Sequence, residues 1–470
     1  MSLSALELAG LFGLPLAAGI GVLGWLRLPP ACARLAWIAW AWLAGLLVLG
    51  LFLYAWVLAC APFERVPLAF GALAALLLAT GLPRLRATER CALADEVAAA
   101  PAWERWLWRA SLAALLALAV SRVAATCAVP VMEGDEANLW TLRAKLLWQH
   151  GGISAGFLAD SADIELIYHA DYPFLNAVLQ LWSFCWAGGI DDFAARLAIV
   201  ACGPALWLAL AGVLARSARP WIGAVLLWLV VSLPQTQSGS RVAESDMLSA
   251  FGMVVALDGW LRARAGRGEG WRVLALGCAF FLWAKNEGAL WITAALGGSL
   301  YAAFLPSGAG LADLRPRRAW LWALLPGLFV AATLSYNLAH GFSNDLTSGD
   351  YRGKGMLALL VEQTPARFFV VGPWFGREIV FNGIESGGLF ALALVLLVLR
   401  PRRWMRDRAV APLALAFTAA LYGLVAVYLA TPHALPLHME TSARRVAWTL
   451  LPIAAVLVAH QLGRERREPA

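Results

Sequence analysis

A polytopic bundle of transmembrane α-helices is the fold class that the sequence predicts, and three observations predict it. Of 470 residues, 61% are hydrophobic and only 14% are charged, against about 45–50% and about 25% in an ordinary soluble domain. The apolar residues come in runs of roughly 15–25, the length a helix needs to cross about 30 Å of hydrocarbon. Those runs are rich in Leu, Ala, Val and Trp and show no alternation of period two, so they are helices and not barrel strands. The expected architecture is all-α with about 12–14 spans.

The first run, 5–26, lacks a basic leader and reads as a retained helix, not a cleaved signal. Runs follow at 35–60, 66–83 and 106–128. The fourth leads into the longest polar interval of the chain, 129–173, where seven acids fall: Glu133, Asp135, Glu136, Asp160, Asp163, Glu165 and Asp171. Further runs lie at 173–187, 193–215, 220–234, 246–261, 272–284, 288–305, 319–339, 365–381, 387–400, 410–430 and 446–461. There is no internal repeat, low-complexity linker or soluble domain. The chain divides into 1–105, 106–305 and 306–470. The seven cysteines are scattered through apolar runs and carry neither metal spacing nor a disulfide framework.

Net charge is +7, from 34 Arg, 3 Lys and 30 acids. Most Arg stand in short loops between apolar runs, where they set topology and require no nucleic-acid partner. The Arg-rich loops 84–109, 262–272, 315–318, 400–408 and 464–467 are therefore assigned to the cytoplasm. The acidic interval 129–172 then lies outside, together with 235–246, 285–288, 341–364 and 431–445. Two segments break the parity of crossings. The short 173–187 is expected to be partial or re-entrant. The 365–381 stretch, with Pro365, Gly372, Pro373 and the Arg377/Glu378 pair, is expected to be interfacial or broken.

The polar residues that topology leaves unexplained gather on this outer side. Charged groups at membrane depth cost about 2.5–3.5 kcal/mol each on insertion scales, so they are paired, functional or both. Asp135 and Glu136 open an interfacial helix over 138–149, with Arg143 snorkelling from its apolar face. One of them serves as a general base, or Asp135 caps the helix while Glu136 answers its dipole. His169 and Asp171 precede Pro173 at the lipid boundary, either binding phosphate or forming an interfacial belt with Tyr168. Asp246 heads an apolar run and has Arg241 as its plain salt-bridge alternative. Lys285, Asn286 and Glu287 interrupt the stretch FFLWAKNEGALWITAAL; a Lys285–Glu287 pair alone does not explain the break. His433, His438, Glu440, Arg444 and Arg445 stand between two good spans, suited to a phosphate or, more plainly, to a bridge with Glu440 and a snorkelling Arg445. Lys145, Lys285 and Lys354 all face outward against the charge bias, as cations available to a phosphate.

A first outer loop with an Asp-Glu pair, then an amphipathic helix, then a His/Pro approach to the next span, resembles the GT-C glycosyltransferases. The nearest branch is the protein-mannosyltransferase and aminoarabinose-transferase-like group, family 39-like. The resemblance covers roughly 106–300, and 431–461 through the His438 to Arg444 stretch. It implies that the Asp135-Glu136 pair holds the base or acceptor-orienting acid and that Asp246 is the acid of the next outer connection. The chain departs from the pattern in reading ADYP before the helix and in carrying three extra spans ahead of the first family helix.

The residues point the same way for a separate reason. With no soluble domain to bind a nucleotide sugar, a sugar donor must arrive by the membrane, most simply as a polyprenyl-phosphate sugar. Transfer to an acceptor hydroxyl then needs a carboxylate base and cations for the leaving phosphate. The expected roles are Asp135 as base with Glu136 supporting, Asp246 and Glu287 positioning, and Lys285, His438 and Arg444 meeting the donor phosphate. A divalent metal through Asp135, Glu136 and Asp246 stays open, though the spacing does not demand one. The expected location is the cell (plasma or inner) membrane, with the site on the outer or periplasmic face. A multi-pass transporter or flippase of a lipid-linked or anionic substrate is the alternative, but it predicts repeated halves and a polar path through the bilayer. A polysaccharide ligase or polymerase would share the donor type.

Overall fold

The computed structural model describes residues 3–30, 35–86, 97, 99–131, 134–163, 169–306, 319–342, 356–431 and 434–463, and among them every regular element is a helix. In chain order these are α1 (Ala5–Trp25), α2 (Leu35–Leu58), α3 (Val66–Arg86), α4 (Ala102–Cys127), α5 (Leu142–Gln149), α6 (Ala155–Asp163), α7 (Leu175–Ala187), α8 (Cys202–Ser217) and α9 (Pro220–Ser232). Then come α10 (Ser245–Arg264), α11 (Gly270–Ala284), α12 (Gly288–Ala302), α13 (Ala319–His340), α14 (Met356–Phe375), α15 (Leu389–Leu399), α16 (Val410–Ala430), α17 (Arg444–Trp448) and α18 (Leu451–Leu462). Glu133, Glu165, Tyr168, Lys354 and His433, and the Arg-rich stretches 315–318 and 464–467, lie outside the described residues.

Among the described residues, seven helices are long and apolar enough to cross a membrane: α1, α2, Phe63–Leu85, α4, Leu197–Ser217, Leu321–His340 and α16. Leu435–Trp448 and α18 together make an eighth, bent by 46°. The chain is thus a multi-pass membrane protein in its architecture, and its described residues hold fewer full-length spans than the 12–14 its hydropathy implies. The difference lies in α9, α11, α12 and α15, which are apolar but have only 13, 15, 15 and 11 residues. At 1.5 Å per residue they reach about 16–22 Å, short of the hydrocarbon thickness. The α10 helix is long enough, at 20 residues, but carries Asp246, Asp258, Arg262 and Arg264.

Of the two segments that broke parity, α7 is a 13-residue helix whose side chains from Leu175 to Cys185 are all buried. The second, 365–381, sits inside a longer helix. The α14 helix begins at Met356, takes in Pro365 and Pro373, and continues as a π-turn over Gly376–Val380. The interval 341–364 is therefore helical from Met356 onward and not a loop throughout. Arg143 also departs from its expected role. Its guanidinium is buried, bonds the carbonyl oxygens of Tyr172 and, at 2.8 Å, Ala170, and stacks 4.0 Å from the Phe174 ring. A loop that folds back over α5 supplies carbonyls closer than the headgroups, so the side chain turns inward.

The pair α10–α11 sets up the site. These helices form an antiparallel hairpin packed at backbone distance. A Cβ on Gly259 would lie 2.1 Å from Leu274 N, one on Gly277 2.3 Å from Ala256 N, and one on Gly252 2.8 Å from Phe281 N. Small residues at these contacts let the two backbones approach and bring van der Waals packing that lipid cannot supply. Each step forward along α10 is matched by a step back along α11. The register therefore brings Asp246, in the first turn of α10, opposite Lys285, the residue that ends α11.

Candidate functional site

Four connections that the sequence placed on one side of the membrane meet at one end of the bundle. They build a chain of alternating charges. Asp135 Oδ2 lies 2.6 Å from Arg445 Nη1. The same Arg445 reaches Glu244 Oε2 at 3.4 Å and, through Nε, Asp246 Oδ2 at 3.1 Å. The other oxygen of Asp246 accepts from Lys285 Nζ at 3.0 Å, and Lys285 Nζ stands 2.8 Å from Glu287 Oε1. Residues from 134–141, 240–246, 285–288 and 439–448 thus share one cluster of four carboxylates and two cations.

The cluster has a front and a back. The side chain of Asp135 is 49% exposed, whereas those of Asp246 and Lys285 are 6% and 4% exposed. Behind the opening, the Asp246–Lys285 pair is a buried ion pair whose stability depends on each partner keeping the other. Burial, and after it the charges of Asp246 and Asp135, push the Glu244 carboxyl up to about 7, with Arg445 pulling the other way. A carboxyl held near neutrality beside an accessible one is the arrangement that proton transfer at ordinary pH needs.

Local structure explains why neighbouring residues take different places. A π-turn over Glu136–Thr141 follows Asp135, and such widened turns redirect side chains within a helix. Asp135 has helical backbone angles and makes no capping bond with its side chain, so the capping alternative is not what it does here. Glu136 turns into the protein. It is buried, paired with Arg196, and Oε1 accepts from Arg196 Nε at 2.5 Å and from Ala243 N at 2.7 Å. Asn176 Nδ2 of α7 grips the same residue from the other side, donating to the Ala243 carbonyl at 2.9 Å. Glu136 and Asn176 therefore hold the turn that delivers Glu244 and Asp246. A second π-turn, Met439–Ala443, precedes Arg444 and Arg445 and sends those adjacent arginines apart.

The remaining sequence candidates lie around this cluster. Asn286 Nδ2 donates to Asp171 Oδ2 at 2.5 Å, and Asn337 Nδ2 of α13 donates to the Asp171 carbonyl at 2.8 Å, so Asp171 ties the loop before α7 to the α11–α12 break. His169 takes a left-handed backbone conformation (φ 46°) and its ring lies 5.3 Å from that of Tyr172. His438 Nδ1 bonds Thr431 Oγ1 at 2.6 Å and packs 4.9 Å from the Tyr428 ring, bracing the turn after α16. Arg444 pairs with Glu378 at 2.6 Å and stands 3.8 Å from Glu385, in a separate group that includes Arg377. Lys145 pairs with Asp192 at 2.8 Å. Neither Arg444 nor Arg445 takes Glu440 as a partner in these bridges. Asp246 pairs with Lys285 and Arg445, where sequence proximity favoured Arg241.

Two participants escaped the sequence reading, and a third takes another role. Arg445 is the hub, where the sequence offered it to a phosphate or as a snorkelling neighbour of Arg444. Arg196 neutralises Glu136, and Asn337 supports Asp171. Each carried a usable signal: Arg196 heads an apolar run on the outer side against the charge bias, and Asn337 is an amide inside an apolar helix. Among the described residues no three His, Cys, Asp or Glu side chains are grouped to hold a metal ion; of the three acids that spacing allowed as ligands, Glu136 faces Arg196 instead. No protein-family model, curated protein or solved structure matches this chain.

Proposed function

We propose that this chain is an integral-membrane glycosyltransferase that moves a sugar from a polyprenyl-phosphate donor to an acceptor hydroxyl at the outer face of the membrane. The observation that carries the reading is the meeting of Asp135, Asp246 and Lys285 in one cluster, from three separate connections of the chain. A transporter requires polar groups along a path, whereas this cluster crowds one end. In the proposed reaction the acceptor oxygen forms a bond to the anomeric carbon. Asp135, at the exposed front, takes the hydroxyl proton. The bond from that carbon to the phosphate oxygen breaks, its electron pair leaves on the phosphate, and the anomeric centre inverts.

Two further features support it. An apolar cavity of about 800 Å³ runs along α10–α13 and α16, and its walls include Phe281, Leu282 and Trp291, which flank the Lys285–Glu287 break. Leu296 and Leu334 in the same lining are each 55% exposed on the outer surface of the bundle, so the cavity opens sideways to lipid, as a polyprenyl chain requires. The charge balance also divides the roles. Four carboxylates against two cations suit a base and repel a bare phosphate. Lys285, His438 and Arg444 are already engaged, which moves the phosphate role to Arg241. That side chain is exposed, three residues before Glu244; its Nε bonds a backbone carbonyl, Gln237 O, at 3.3 Å, and it lies within electrostatic reach of Arg122.

The test is Asp135→Asn in lipid nanodiscs, supplied with a panel of polyprenyl-phosphate sugars and native membranes as acceptor source. Transfer should fall by about 10²–10⁴-fold, with the unfolding midpoint unchanged because Asp135 is half exposed. Full activity in the variant would end the assignment of Asp135, and no turnover of any donor by the parent protein would end the reading itself.

A further inference from the structure

The opposite end of the bundle holds a second feature, independent of the proposed reaction. A basin of about 1450 Å³ opens where α8, α10, the 400–408 segment, the start of α16 and the end of α18 come together. One wall carries Arg216, Arg262, Arg264 and Arg267. The other carries five more arginines, among them Arg400, Arg403 and the exposed Arg402 and Arg406. Among the described residues of the lining, nine arginines face one carboxylate, Asp407, whose Oδ1 is taken up by the backbone N–H groups of Ala409 and Val410 at 2.8 and 3.1 Å. Asp258, buried behind the first wall, pairs with Arg216 and Arg262 and offsets one charge more.

Topology explains why arginines occur in these loops, since cytoplasmic loops carry them. It does not explain why three separate stretches aim them into one concavity, where like charges repel. Several of them are anchored by neutral groups, which position the guanidinium and leave its charge in place. Arg400 Nη1 donates to the Gln461 carbonyl at 2.7 Å, Arg264 Nε to that of Arg408 at 2.9 Å, and Arg403 to that of Gly463. A second observation points to a ligand. Gln461 lines the basin and is 1% exposed, yet among the described residues neither its amide oxygen nor its amide nitrogen finds a partner, and Arg267 Nη1 is likewise buried without one. Buried polar atoms of this kind are satisfied by something the protein alone does not supply.

We propose that this basin binds an anion carrying two or more phosphate groups. Guanidinium forks match phosphate oxygens in paired, charge-assisted bonds. Nine guanidinium groups exceed what one phosphate can engage, and the volume exceeds what a single phosphate fills. The anion is either a lipid headgroup with two phosphates or a soluble diphosphate, and the chemistry of the basin is the same for both.

The experiment uses the full chain in phosphatidylcholine nanodiscs. One arm titrates inorganic pyrophosphate; the other replaces part of the lipid with cardiolipin. Binding is read by unfolding midpoint and by native mass spectrometry, against sodium chloride at equal ionic strength. Saturable binding of pyrophosphate identifies a soluble anion, and retention of cardiolipin alone identifies a lipid headgroup. In either case Arg402→Gln/Arg406→Gln, at exposed positions, should weaken it about tenfold or more, Arg402→Lys/Arg406→Lys should restore part of it, and Arg377→Gln, at an exposed position in the group around Glu378, should leave it unchanged. Binding of neither probe, or equal binding by the glutamine variant, overturns the proposal.

Discussion

Replacing Glu244 with Gln tests the electrostatics of the cluster most directly. In the unfolded chain this carboxyl has its ordinary pKa of 4.5, and in the folded chain it stands at about 7. The folded protein therefore holds the proton more tightly, so the contribution of this group to stability is fully present below pH 4.5 and is lost as pH rises through 7. The gap between the two values corresponds to about 3 kcal/mol. Its source is burial first and then the facing carboxylates of Asp246 and Asp135, against which Arg445 gives partial relief. Glutamine fills the same space and does not titrate. In denaturant titrations of the detergent-solubilised protein, the difference between Glu244→Gln and the parent should move by about 3 kcal/mol in favour of the variant between pH 4.5 and pH 8. An infrared difference spectrum over the same range should show a carboxylic-acid band in the parent that the variant lacks. A stability difference that stays constant with pH, or that moves the other way, would refute the placement of Glu244 in this cluster.

Three other outcomes follow from named contacts. Lys285→Met strands Asp246 and Glu287 without their shared cation and should destabilise the protein by about 3–5 kcal/mol, while adding Asp246→Leu to it should recover part of that loss; chemical denaturation of the single and double variants checks both. Glu136→Ala should lower stability by about 3 kcal/mol or more, because it leaves Arg196 as an uncompensated buried charge, and it should loosen the Ala243 amide, which hydrogen exchange reads. Gly259→Val places a side chain where a Cβ already meets Leu274 N at 2.1 Å, so the α10–α11 hairpin must spread; a lowered unfolding midpoint is expected, and an unchanged one would contradict the backbone packing described for that hairpin.

Much of the architecture was legible in the chain, because membrane solvation is a strong and one-dimensional constraint. Apolar length marks helices, arginine placement marks one set of loops, and a charge inside an apolar run stands out because burial without a partner is costly. That is why Asp246, Lys285 and Glu287 were visible, and why 129–172, 235–246, 285–288 and 431–445 could be grouped before any contact was known. Hydropathy reads more spans than the described residues hold as full-length helices, for a related reason. It senses that α9, α11, α12 and α15 are apolar, but not that each ends after 11–15 residues, short of the hydrocarbon thickness.

What the tertiary structure decided is which of two adjacent residues faces the site. Asp135 and Glu136 are equivalent by composition, as are Arg444 and Arg445. Consecutive residues on a helix point about 100° apart, and the π-turns at Glu136–Thr141 and Met439–Ala443 shift that direction again. The result puts Asp135 with Arg445 at the opening, Glu136 with Arg196 in the interior, and Arg444 with Glu378 in a group of its own. The sequence by itself determined a helical membrane protein whose unexplained charges gather at one end. Only packing decided how those charges pair, because pairing depends on helix rotation and register, which hydropathy does not encode.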